Sequence, residues 1–245
     1  MLQPIWDWFQ WLYDQHGINL SIFYDSFDRE RFAEGILTTI ELSVICVALS
    51  LVVGVVGAFL QQSSWTITRR LVQGYIQFFR NTPPLVQLYF FYFAVDRALA
   101  DALGFQNIMG GFGWAIVSLS FFAGAFNVEI FRAGIEAVPK STVEAAESLG
   151  YTRLQTYRYV VLPLAFRVSL PALNNNMVNL VKTTTLAYAI AVPEILYVSN
   201  QIWSDMLNVP EMMNVVWITY LILVGALVWL MHRWERGLRI PGYGR

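Results

Sequence analysis

Long stretches without a charged side chain constrain this chain more than any other feature. Asp, Glu, Lys and Arg are missing from Leu42–Thr68, Asn81–Val95, Ala102–Val128 and Met212–His232, and Val168–Pro193 is interrupted only by Lys182. A helix crossing the roughly 30 Å hydrocarbon core needs about 20 mostly apolar residues. The first, third and last of the uninterrupted stretches meet that outright. Asn81–Val95 gains length from Leu71–Phe79 across Arg80. The pattern predicts an all-α membrane protein with about five transmembrane helices, near 36–60, 72–95, 112–134, 165–190 and 213–232. Composition agrees: 13% of the residues are charged, about half the share in a soluble domain. With no polar linker to divide it, 1–245 is expected to be a single transmembrane domain.

Charge placement predicts orientation. Five spans put the termini on opposite sides. One side then carries Arg69, Arg70, Arg132, Lys140, Arg153, Arg158, Arg167, Arg233, Arg236, Arg239 and Arg245, the other only Arg29, Arg31 and Arg97. The positive-inside rule makes the first side cytoplasmic, so the N-terminus is expected outside and the C-terminus inside. Residues 1–33 hold Trp6, Trp8 and Trp11 among several acids and have no basic start. They read as an aromatic segment at the outer interface rather than a signal peptide. The net charge of −1 argues against nucleic acid as a partner. The lone Cys46 excludes an internal disulfide framework and a cysteine-based metal site in this chain.

Residues 138–163 carry the densest local signals. Ser141 and Glu144 have capping-box spacing, and Thr142–Leu149 is helix-forming up to Gly150, a good residue to end on. Thr152 and Gln155 repeat the capping box, and a second helix over Arg153–Leu162 is expected to stop at Pro163. Val143, Ala146 and Leu149 recur at helical spacing, with the small Ala145 beside them. This much order exceeds what a connector needs. A docking surface for a cytoplasmic partner is the functional reading, a plain connection the other.

These residues carry a resemblance. EAAESLGYTRLQTYRYVVLP, Glu144 to Pro163, resembles the EAA loop of ABC-importer permeases: Glu-Ala-Ala, three residues, Gly, then a variable stretch ending in Leu-Pro. RNTPPLVQ, Arg80 to Gln87, is similar to the Arg-Gly-Thr-Pro-Leu-Leu-Val-Gln segment of the branch for polar amino acids. EIFRAGIEAVP, Glu129 to Pro139, and LVKTTTLAYAIAVPEI, Leu180 to Ile195, resemble two further segments of that branch. Asn81 stands where Gly is usual, Pro84 doubles the proline, and Thr185 replaces Ser. The likeness covers roughly residues 34–240.

The resemblance implies a type I ABC-importer permease fold in the bacterial inner membrane. It implies a second permease (the same chain or a paralogue), a pair of separate ATPase subunits that bind ATP and Mg, and an extracytoplasmic solute-binding protein. It implies an amino acid as cargo and Glu144, Ala145, Ala146, Leu149 and Gly150 as the coupling contact with the ATPase. This chain has no Gly-x-x-x-x-Gly-Lys-Ser/Thr phosphate loop, so no cofactor of its own is expected and ATP energy must come from another chain. Another small polar solute, such as an opine, is the alternative cargo.

Ionisable and polar groups inside spans are functional hypotheses by default. Glu41, Arg80, Glu129 and Lys182 lie in the predicted spans. Glu129 and Arg132, three apart, share a helix face and can pair, either to fix packing or to serve transport. Asn81-Thr82-Pro83 resembles a helix start, with Thr82 as cap and Pro83 at the first helical position. The fourth span holds Asn174, Asn175, Asn176, Asn179, Lys182, Thr183, Thr184 and Thr185, which cannot all face lipid. Asn175, Asn179 and Lys182 follow helical spacing. The candidate pathway residues are therefore Glu41, Arg80, Thr82, Glu129, Asn175, Asn179, Lys182 and Thr184. Lys182 and threonine hydroxyls would serve a carboxylate, and Glu41 or Glu129 an ammonium. A membrane enzyme fits less well. His16 and His232 are predicted on opposite sides, and no catalytic or metal-binding set stands out. A channel would have no need of the capped loop.

Overall fold

A computed structural model describes residues 3–104 and 108–238 of the chain. In chain order its helices are α1 (Gln3–His16), α2 (Ser21–Tyr24), α3 (Ser26–Gln61), α4 (Thr66–Asn81), α5 (Pro84–Tyr89), α6 (Asp96–Leu103), α7 (Gly110–Glu136), α8 (Lys140–Ser148), α9 (Arg153–Thr156), α10 (Leu162–Thr183), α11 (Ile195–Met206) and α12 (Val209–Leu238). Two π-helical stretches, Phe90–Val95 and Tyr157–Val161, join α5 to α6 and α9 to α10, and a 3-10 stretch, Thr184–Ile190, extends α10. No strand occurs among the described residues.

Three of the five expected spans are single helices. Among the described residues α3, α7 and α12 are long and apolar enough to cross a membrane. The 36 residues of α3 extend about 54 Å at 1.5 Å per residue, well beyond a hydrocarbon core. Asp25 starts this helix, its carboxylate accepting from the backbone N–H groups of Phe27 at 2.7 Å and Asp28 at 3.2 Å. The expected second span is broken into α4, α5 and the π-helical stretch. The expected fourth span is α10, 22 residues long, whose asparagines keep it outside the long apolar set.

Three local expectations need correction. Pro163 does not end a helix: α10 runs through it from Leu162. Leu162 alone separates it from a π-helical turn, a widened backbone that tolerates a missing N–H and a ring set against the i−4 carbonyl. Thr82 is the C-cap of α4 and not the start of the next helix; its hydroxyl donates to the carbonyl of Phe78 at 2.7 Å. Pro84 rather than Pro83 is the first residue of α5, and the Pro83 carbonyl accepts from Gln87 N–H. Ser141 is no cap either, since α8 already starts at Lys140 behind Pro139. Arg239 and Arg245, used above for orientation, lie outside the described residues.

The chain forms two compact units. The first combines Met1–Ile45, Leu88–Val117 and Val181–Gly225. Its core gathers Ile22, Phe32, Ile195, Val198, Ile202, Met212 and Val216. The segment expected at the outer interface partly enters this core: Ile22, Asp28 and Phe32 are buried, while Trp8 and Trp11 are exposed. Asp28 pairs with Arg31 at 2.7 Å, and Arg31 reaches Asp205 at 2.9 Å. The second unit combines Cys46–Gln87, Ser118–Leu180 and Ala226–Arg245. Ala58, Val72, Ile76 and Val128 pack together in it, and a separate cluster of Val138, Val161 and Ala165 sits beneath the loop over 138–163.

Candidate functional site: a capped loop and the carboxylate behind it

The loop over 138–163 lies wholly in the second unit. Pro139, with extended backbone, precedes α8. The helix ends in a hydrogen-bonded reversal: Tyr151 N–H donates to the Ala146 carbonyl and Gly150 N–H to that of Glu147. This is the Schellman arrangement, which needs a left-handed residue after the cap. Gly150 supplies it, with φ +89°. Thr152 and Gln155 then form the expected capping box at the head of α9. Both ends of the turn are thus fixed by hydrogen bonds within the segment.

Side chains from the loop face two ways. Ala146 is buried, and Val143 and Tyr157 pack against Val138, Val161 and Ala165 together with Ile135. This face ties α8 and the π-helical turn to the ends of α7 and α10. Glu144, Ala145, Leu149 and Gly150 face solvent. Leu149 is 80% exposed, Leu154 77% and Tyr159 61%. Apolar side chains this exposed are available for contact. Of the five coupling residues read from the sequence, four are exposed and Ala146 is buried.

A polar path leads from the loop into the unit. Tyr157 donates its hydroxyl hydrogen to Gln62 Oε1 at 3.2 Å. The neighbouring Gln61 donates from Nε2 to Glu129 Oε1 at 3.3 Å and to Gln73 Oε1 at 3.2 Å. Glu129 pairs with Arg132 at 2.9 Å, as the spacing predicted, and lies 3.9 Å from Arg80. Arg132 also holds Glu136 at 2.6 Å. Arg80 stands over the Phe126 ring, 5.3 Å from its centroid. A cleft of about 500 Å³ opens beside this cluster, walled by Arg80, Phe126, Glu129, Arg132 and Ser169 among others. At its wall Gly134 meets α10: a Cβ there would run into Ser169 Oγ and the Ala165 carbonyl. The Ala-Gly-Ile sequence after Arg132 therefore reflects close helix packing.

Residues 50–240 match the family described as binding-protein-dependent transport system inner membrane component. The chain belongs to this family. It is 32% identical over 206 residues to the probable glutamine ABC transporter permease protein GlnM of Bacillus subtilis (strain 168), covering 84% of this chain and 91% of that one. It is also 32% identical over 207 residues to the glutamine transport system permease protein GlnP of Escherichia coli (strain K12), covering 84% and 92%. A crystal structure of an amino acid ABC transporter with histidines superimposes with a TM-score of 0.76 at 28% identity, covering 85% of this chain and 94% of that one. The inward-facing MetNI methionine ABC transporter, at 19% identity, shares the fold with a TM-score of 0.69 over 88% of this chain and 100% of that one.

In this inner-membrane permease the predicted pathway residues separate. Arg80 and Glu129 come together, as above. Thr82 accepts from Gln87 Nε2 at 2.6 Å and so braces the break between α4 and α5. Asn175 and Asn179 are exposed on α10, whereas Asn174 and Asn176 are used inside the second unit. Asn174 donates to Glu235 at 3.3 Å, and Asn176 donates to Asn127 Oδ1 at 2.8 Å and to the Ala123 carbonyl at 3.0 Å. Glu41, Lys182 and Thr184 belong to the first unit. Glu41 and Lys182 are exposed there, while Thr184 is fully buried and donates to the Val181 carbonyl at 2.7 Å.

Sequence reasoning missed two buried polar centres. Asn127 joins Asn176 to Ser50, donating to the serine hydroxyl at 3.2 Å; nothing in the local sequence marked it. Glu194, in the first unit, is fully buried and caps α11. It accepts from Tyr197 N–H at 2.8 Å, Leu196 N–H at 3.0 Å and the Tyr220 hydroxyl at 2.9 Å. An acid directly after Pro193 and before a helical run was the available signal.

Proposed function

We propose that this permease is the membrane-spanning subunit of an ATP-driven importer for polar amino acids. The observation that carries this reading is the loop over 138–163: capped at both turns, packed onto α7 and α10 by one face, and leaving Leu149, Leu154 and Tyr159 exposed. A separate ATPase pair, holding ATP and Mg, docks on the exposed face, with Glu144, Ala145, Leu149 and Gly150 in contact and Ala146 anchoring α8 behind them. Closure of that pair moves the loop, and the Tyr157–Gln62 and Gln61–Glu129 contacts pass the motion to the spans.

Five spans within one transmembrane domain, N-terminus outside and C-terminus inside, fit the charge asymmetry. A second permease, identical or paralogous, covers the exposed Asn175 of α10, since an amide cannot be left facing lipid. Together the two chains enclose a pathway to which Glu41, Arg80, Thr82, Glu129 and Lys182 contribute, fed from outside by a solute-binding protein; Thr184, fully buried, does not line it. Polar amino acids as cargo agree with the relatives named for glutamine and with the histidine/lysine/arginine/ornithine permease HisQ of Salmonella typhimurium, 32% identical over 166 residues.

The test combines assembly and uptake. Tagged chain drawn from its native membrane in mild detergent is expected to bring an ATPase subunit in about equal amount. Gly150→Arg and Glu144→Lys are expected to leave membrane insertion intact and to abolish ATP-dependent uptake of labelled amino acid. Normal uptake by both variants would sink the coupling assignment.

A further inference from the structure

The corner between α3 and α4 is basic on one side and apolar on the other, and the import reading uses neither Arg69 and Arg70 nor the apolar stripe. Between Glu41 and Asp96 the sequence has Arg69, Arg70 and Arg80 and no acid at all. Gln61, Thr66, Arg69, Arg70, Gln73 and Arg132 line a cleft of about 400 Å³ in the second unit. Arg132 is already committed to Glu129 and Glu136, and these two carboxylates offset its charge. Among the described residues the Arg69 guanidinium donates to Thr66 Oγ1 alone, at 3.4 Å. Among the described residues neither Arg69 nor Arg70 forms an ion pair.

Beside this cleft α4 has a second apolar face. Val72, Ile76 and Phe79 are buried, but Trp65, Ile67, Leu71 and Phe78 are exposed. Ile67, Leu71 and Phe78 share one side of the helix at spacings of four and seven, with Trp65 just before it. A tryptophan flanking an exposed aliphatic stripe, with arginines at the same helix end, is the pattern of a segment lying at a lipid headgroup boundary.

We propose that this corner binds an anionic phospholipid of the cytoplasmic leaflet. Its phosphodiester enters the cleft between Arg69 and Arg70, Thr66 and Gln73 supply neutral donors, and the acyl chains lie along Ile67 and Leu71. Basic pockets on the cytoplasmic side take such headgroups because each arginine adds attraction to a charge that water screens poorly there. Gln61 also touches Glu129, so an occupied cleft adjoins the path from the coupling loop. The proposal rests on the cytoplasmic placement of this corner given above.

Native mass spectrometry of the full chain in mild detergent tests it, with phosphatidylglycerol and phosphatidylcholine of identical acyl chains offered in equal amount. Wild type is expected to retain phosphatidylglycerol preferentially. The double variant Arg69→Gln, Arg70→Gln is expected to lose about thirtyfold of that preference while eluting like wild type on size exclusion. Arg69→Lys, Arg70→Lys is expected to keep most of it. Equal retention of both lipids by wild type, or a preference unchanged in the Gln variant, would overturn the site. Complete displacement of the lipid by excess inorganic phosphate would make this a site for a soluble anion and overturn the lipid assignment.

Sidedness is read separately. Ser64→Cys, with the buried Cys46 left in place, is expected to react with an impermeant maleimide only after the cells are opened. Reaction from outside would overturn the cytoplasmic placement while the headgroup preference still stood on its own measurement.

Discussion

Glu194 in the first unit and Glu129 in the second are both carboxylates on apolar helical frameworks, and they are held by different chemistry. Glu194 is fully buried and meets only neutral donors: two backbone N–H groups at the start of α11 and the Tyr220 hydroxyl. No cation pairs with it among the described residues. Glu129 has a side chain 22% exposed and meets two guanidinium groups and a glutamine amide. Donors on a rigid backbone suit an acid whose work is to fix a turn. Long, partly solvated arginines cost little to rearrange, so they suit an acid that must tolerate motion of the surrounding helices. The contrast separates an acid fixed by backbone donors from one held by side chains that can rearrange, although both are acids within an apolar framework.

The comparison breaks most easily at Glu194. Glu194→Ala orphans buried donors and removes a cap, and is expected to cost on the order of 3 kcal/mol, read as a lower unfolding temperature in detergent. Tyr220→Phe removes one of the three bonds and is expected to cost about 1 kcal/mol by the same measurement. Glu129→Ala is expected to cost less than about 1 kcal/mol in stability, because its partners are partly solvated, yet to reduce ATP-driven uptake severely. A stability loss at Glu129 as large as at Glu194 would erase the distinction. The smallest effect sharpens it: raising salt is expected to shrink the stability deficit of Glu129→Ala, since exposed pairs are screened, and to leave that of Glu194→Ala unchanged.

Much of this was legible in one dimension. Charge-free length gave α3, α7 and α12, because the criterion is additive along the chain. The Thr152 box and the Gly150 reversal were legible because their partners lie within six residues of one another. The Glu129–Arg132 pair followed from helical spacing alone. What escaped depends on partners distant in sequence or on backbone widening. Asn127 acquires meaning only when Ser50 and Asn176 reach it, and the burial of Glu194 beside Tyr220 likewise depends on a partner distant in sequence, although its capping of α11 is local. The passage of α10 through Pro163 depends on a π-helical turn that no composition rule foresees. Ala146 was read as part of the presented face because spacing says which residues share a side and not which side is covered.

The π-helical turn at Tyr157–Val161 also acts as a phase setting. One residue more or less in a helix rotates everything beyond it by about 100°. The exposed patch on α9 and the amides of α10 therefore belong to two faces whose relative angle is set by this single turn. Deleting one residue there would leave both faces chemically intact and mistime them, like a gear mounted one tooth off its mark. Length at this point is thus under a constraint as strict as the identity of the side chains on either side of it.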